Sequence, residues 1–137
     1  MPPANHEPHN LDLARRYLAA LERGDDARAV GEFLNDEIVA QEFPNRLVAT
    51  GQTRDRAEML AGVERGRELM QSQCYDVLSA MAVGESVALE VAWSGTLAVP
   101  FGPLAAGSTL RARVAIFLEF QDGRIIAQRN YDCYEPW

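Results

Sequence analysis

The sequence predicts an α+β fold in which one curved antiparallel sheet wraps over three helices. Apolar residues recur at helical spacing up to about residue 70 and at a period of two after it. Helices come first and strands second, an order that gathers the helices on one side of a sheet. The strand half is punctuated by Gly84-Glu85 and Asp122-Gly123, turn pairs that join neighbouring strands as hairpins.

Each element follows from its local pattern. Residues 1–10 are rich in Pro, His and Asn and read as a loose tail ahead of a single domain over residues 11–137. The first helix spans residues 11–23, with Leu11, Ala14, Leu18 and Leu21 on one face, Asn10 as N-cap and Gly24 as stop. A second helix over 25–34 turns Ala29, Val30, Phe33 and Leu34 inward, and residues 37–41 form a short strand. Residues 42–52 hold Pro44, Asn45 and Gly51 and read as a loop. Thr53 caps a third helix, to about residue 70, without a clear capping box. Strands follow at 74–82, Ser86–Leu97, Thr109–Gln121 and 125–134, and residues 99–108, with Pro100, Gly102, Pro103 and Gly107, form a long connecting loop.

Composition excludes several classes of function. The chain has 137 residues, enough for one domain with a real core, and 47% of them are hydrophobic. Its net charge of -7 comes with arginines scattered rather than grouped, so no nucleic-acid partner is expected. No run of about 18 apolar residues appears, so no membrane partner is expected, and the N-terminus lacks an apolar signal core, which points to the cytoplasm. Cys74 and Cys133 are too few for a disulfide framework and read as buried free thiols. His6 and His9 make at most an incomplete metal pair, and no phosphate loop or nucleophile elbow is present, so no cofactor is expected.

Strand alternation sorts the side chains. In the 109–121 strand, Ala112, Val114, Ile116, Leu118 and Phe120 form an apolar set that faces the helices and a cavity. Leu89, Val91 and Trp93 face in likewise. The opposite face carries Arg111, Arg113, Phe117, Glu119 and Glu90, a mixed surface suited to a homodimer across a two-fold axis. The last strand offers Ile125, Ala127, Arg129, Tyr131 and Cys133 on one side and Ile126, Gln128, Asn130, Asp132 and Tyr134 on the other, and composition does not choose between them.

Two stretches carry a family resemblance. Arg15-Arg16-Tyr17-Leu18-Ala19-Ala20-Leu21-Glu22-Arg23-Gly24-Asp25, together with Leu118-Glu119-Phe120-Gln121-Asp122-Gly123-Arg124-Ile125-Ile126 and its continuation to Cys133, resembles the nuclear transport factor 2-like superfamily. That group includes ketosteroid isomerases and SnoaL-like polyketide cyclases. The resemblance implies a cone-shaped fold whose mouth holds a small molecule, and a homodimer. Aligned through Asp122-Gly123-Arg124, it puts Gln128, Asn130 and Asp132 on the cavity side.

The resemblance also suggests roles. Tyr17 matches the isomerase tyrosine that donates a hydrogen bond to a developing enolate, work suited to a neutral phenol in a dry site. The rest of the isomerase set is missing: Glu42 is the nearest carboxylate to the catalytic position, and Ile116 stands where a protonated Asp would be. Asn130 stands where epoxide hydrolases of this superfamily place an Asp, while Asp132, one register step away along the same face, is the local candidate for the cyclase base. Trp93 and Phe43 form a possible aromatic wall, with Val114, Ile116 and Gln128 as further ligand contacts. The sequence thus supports a cofactor-free isomerase or cyclase acting on an apolar small molecule. In it, Asp132 or Glu42 abstracts a proton next to a carbonyl, and Tyr17 with Asn130 stabilises the enolate. A non-catalytic binding module on the same fold is the alternative.

Overall fold

The computed structural model describes residues 5–137. The part of the expected tail at residues 1–4 lies outside them. The rest of that tail is mostly helix: α1 runs Glu7–Arg23, with Pro8 in its first turn and Gly24 closing it at φ 75°. Helix α2 is short, Ala27–Gly31, and is capped by Asp26. Helix α3 spans Arg56–Leu69. Its cap is Asp55 rather than Thr53, and a full capping box is present: the Asp55 carboxylate accepts from the Glu58 N–H while Glu58 accepts from the Asp55 N–H.

The six strands are β1 Leu34–Glu42, β2 Gln52–Arg54, β3 Met70–Val83, β4 Ser86–Leu97, β5 Thr109–Gln121 and β6 Arg124–Tyr134. They form one sheet in the order β2-β1-β6-β5-β4-β3. The sheet is mixed rather than wholly antiparallel, because β1 runs parallel to β6. That pairing closes the fold on itself by joining the first strand to the last. β2 lies where the expected loop meets the expected start of the third helix, and at three residues it is too short to show a period.

The core sits between the concave sheet face and the helices. Leu34, Ile38, Leu97, Leu118 and Ile125 are its largest fully buried members, with Ala14, Tyr17 and Leu18 packed from α1. The alternation expected of β5 holds: Ala112, Val114, Ile116, Leu118 and Phe120 are all buried, while Arg111, Arg113 and Phe117 are exposed. The two cysteines correct the sequence reading. Both are exposed free thiols, because the alternation of β3 and β6 turns them onto the convex face. No helix among the described residues is long and apolar enough to cross a membrane.

Candidate functional site

A cavity of about 770 Å³ opens between α1, α3 and the concave sheet face. Leu21 from α1, Met59 and Val63 from α3, and Val99 and Phe101 from the loop after β4 form its apolar walls. Four neutral polar side chains line it as well: Tyr17, Gln73, Tyr75 and Gln128. Arg54, Arg65 and Arg67 lie around it with Asp25 and Glu68.

Register explains the polar stripe. In antiparallel pairing, residues directly opposite share a face. Asn130 sits opposite Ile116, Asp132 opposite Val114 and Gln128 opposite Leu118. All three polar residues therefore share the buried face of β5, as the alignment on Asp122-Gly123-Arg124 implied. Glu42 pairs with Asn130 across the parallel β1–β6 ladder and joins the same face.

These side chains form a directed chain. The Tyr17 hydroxyl donates to Gln128 Oε1 at 2.7 Å, and Gln128 Nε2 donates to Asn130 Oδ1 at 2.8 Å. Asn130 then has only its amide protons left for Asp132, two residues along the same face. Tyr17 thus spends its proton inside the protein and offers the cavity its lone pairs. Burial raises its pKa far above the ordinary phenol value.

Asp132 is the most perturbed carboxylate. Its pKa is pushed up to about 6, chiefly by burial and next by the Glu42 charge, with Asn130 and Arg54 opposing the rise. Its Oδ1 is buried without a hydrogen-bond partner. Glu42 is better supplied, accepting from Asn45 Nδ2 at 2.9 Å and from Arg54 at 3.2 Å. Two more phenols surround the group. Tyr75 is pushed up to about 12 by burial and then by the Asp132 charge, and Tyr134 is raised by burial and then by Asp132 and Glu42.

Of the expected site residues, only Tyr17 and Gln128 line the cavity itself. Asp132, Asn130 and Glu42 adjoin it, since Asp132 acts electrostatically on Tyr75 and is acted on by Arg54, and both of these lie in the wall. Val114 and Ile116 are core residues beneath the stripe. Trp93 is a support rather than a wall: its indole donates to Gln73 at 3.1 Å and its ring meets Tyr134 edge-on. Phe43 belongs elsewhere. It stacks on the exposed Tyr131 at 4.4 Å, on the convex side, because the chain leaves the sheet just after Glu42.

Sequence reasoning missed Gln73, Tyr75 and Arg54. The first two were within reach: a strand begun at residue 70 rather than 74 puts Gln73, Tyr75 and Val77 on one alternating face. Arg54 was hidden in β2. Among the described residues, no three His, Cys, Asp or Glu side chains gather as metal ligands.

The SnoaL-like domain family matches residues 14–128. No match was found among curated proteins. Among solved structures, AclR of Streptomyces galilaeus, a candidate hydroxylase, is similar at 20% identity and a TM-score of 0.78, over 94% of this chain and 81% of that one. A candidate polyketide cyclase from Xanthomonas campestris pv. campestris is similar at 21% identity and 0.77, over 93% and 92% of the two chains. An LEH-like epoxide hydrolase of M. tuberculosis is similar at 17% identity and 0.75, over 93% and 85%. Identities this low speak for the fold and leave the chemistry to the site. With the family match spanning most of the chain, and a helix-lined cavity on a curved six-stranded sheet beneath it, this protein belongs to the SnoaL-like domain family, on the nuclear transport factor 2-like fold.

Proposed function

We propose that this protein is a cofactor-free enzyme of the isomerase or cyclase type, moving a proton next to the carbonyl of a mostly apolar small molecule. The observation that carries the reading is Asp132: a carboxylate at the inner sheet face, beside the cavity, with one oxygen unpaired and a pKa near 6. Such a group is largely ionised at neutral pH yet basic enough to take a proton from carbon. Glu42 raises the basicity of Asp132, and Arg54 restrains it. The Tyr17–Gln128–Asn130 chain orients the stripe, so that Asn130 faces the base and Tyr17 marks the ligand's end of the row.

The test uses 2-tetralone, an apolar enolisable ketone, in deuterated water. The wild-type protein is expected to accelerate exchange of its α-protons, and Asp132→Asn to bind the ketone without exchanging it. Equal exchange in the two proteins defeats the assignment.

A second reading, a binding module without chemistry, is favoured by one observation. Neither Asp132 nor Glu42 lies in the cavity wall, whose inner polar groups are neutral amides and phenols. On that reading 2-tetralone binds with a flat pH profile and no exchange.

We also propose a homodimer through the convex sheet face. Phe117 and Tyr131 are exposed there and meet edge-on, and Arg129 pairs with Glu119 beside them. The exposed Arg111, Arg113 and Glu90 flank this aromatic centre with charges able to pair across a two-fold axis.

A further inference from the structure

We propose that Gln73 is the hydrogen-bond donor that receives the carbonyl oxygen of the bound molecule, which makes the site selective for ketones over hydrocarbons of the same shape. The proposal rests on the reading above that the cavity binds an apolar carbonyl compound. It names the group that the incomplete isomerase pattern leaves unfilled.

The argument is one of donors and acceptors. Gln73 enters the sheet opposite Gly95 and lines the cavity. Its Oε1 lies 3.1 Å from Trp93 Nε1 and 3.3 Å from the Tyr75 hydroxyl. An indole N–H can only donate, so the atom facing it is an acceptor, and the amide orientation of Gln73 is fixed. The Nε2 protons are thereby turned away from Trp93, and no acceptor among the described residues takes them. Tyr17, the expected donor, has given its proton to Gln128. Gln73 is therefore the one of the four neutral polar wall residues with both amide protons unspent by these bonds, since Tyr17 and Tyr75 have each given their hydroxyl proton and Gln128 keeps one of two. A fixed donor in a water-poor pocket stabilises negative charge developing on an oxygen more than a mobile one does.

The platform is built in by packing. A Cβ on Gly95 would come within 2.7 Å of the Trp93 ring and 2.9 Å of Met70 Sδ, so the indole's benzene edge occupies space that only glycine leaves open. Gly95 thus holds Trp93 where it can pin Gln73.

The experiment compares 2-acetylnaphthalene with 2-ethylnaphthalene, which differ in the carbonyl oxygen, by titration calorimetry and by the carbonyl stretch of the bound ketone. The wild-type protein is expected to prefer the ketone by about tenfold, the worth of one good hydrogen bond, and to move its stretch to lower frequency. Gln73→Leu should reduce the preference to about one and abolish the shift while still binding the hydrocarbon. Trp93→Phe, which keeps Gln73 but frees its amide to turn, should lose part of both. A preference and stretch unchanged in Gln73→Leu overturn the assignment. Failure of the ketone to bind the wild-type protein overturns it together with the carbonyl-binding reading. Preference for the ketone with no α-proton exchange of 2-tetralone supports Gln73 and removes the enzymatic reading alone.

Discussion

Asp132 shows how one residue links stability to chemistry. The folded protein holds the Asp132 proton more tightly than the unfolded chain does, because burial has raised its pKa from 3.8 to about 6. Ionisation therefore costs stability progressively as pH rises through that interval, and the cost stands in full above it. Asp132→Asn removes the buried charge. It is expected to raise stability at pH 7 by about 1–2 kcal/mol and to flatten the stability profile between pH 4 and 6, read from denaturant melts across that range. Tyr17→Phe has the opposite sign. It strands Gln128 Oε1 without its donor, a loss of about 1 kcal/mol measurable in the same melts. The stripe of Gln128, Asn130 and Asp132 was legible only through the family resemblance: Ile125 lies buried opposite Phe120, and the irregularity that next sets Ala127 opposite Glu119 moves the buried side to even positions, so plain counting from the Asp-Gly turn gives the other face. Phe43 was not legible, since its direction depends on where β1 leaves the sheet.

At the scale of elements, the capping box of α3 and the glycine under Trp93 make separate predictions. Asp55→Ala removes the side-chain acceptor of the Glu58 N–H, leaving only the backbone half of the capping box, and is expected to cost about 1 kcal/mol without altering ligand binding. Gly95→Ala forces the Trp93 indole off its seat. A change in tryptophan fluorescence, with a loss of stability of about 1–3 kcal/mol, is the expected result. Both strand hairpins and the long helices could be read from periodicity and turn chemistry, which are local. The parallel β1–β6 pairing could not, because it joins residues some ninety positions apart and leaves no mark on either segment. α2 came out shorter than expected because Leu34 is recruited into β1, where tertiary pairing outweighs helical spacing.

The whole molecule divides its work between the two faces of one sheet. The concave face and the helices enclose the cavity, and the convex face carries the aromatic and charged surface. If that surface is a dimer interface, Phe117→Asp places a charge at its centre. Sedimentation should then find the variant monomeric where the wild-type protein is dimeric, with cavity ligands still bound; an unaltered sedimentation coefficient argues against the interface. Fold and face assignment follow from patterns that span the chain, while the cavity depends on which buried polar atoms have partners, a property of three-dimensional neighbours. The pH profile of α-proton exchange in 2-tetralone, recorded for the wild-type protein and Asp132→Asn, tests proton transfer at Asp132 most directly. Exchange that rises with ionisation of a group near pH 6 and levels off above it, and that vanishes in the variant, is the predicted result. A wild-type profile that follows the buffer, or one that the variant reproduces, contradicts it.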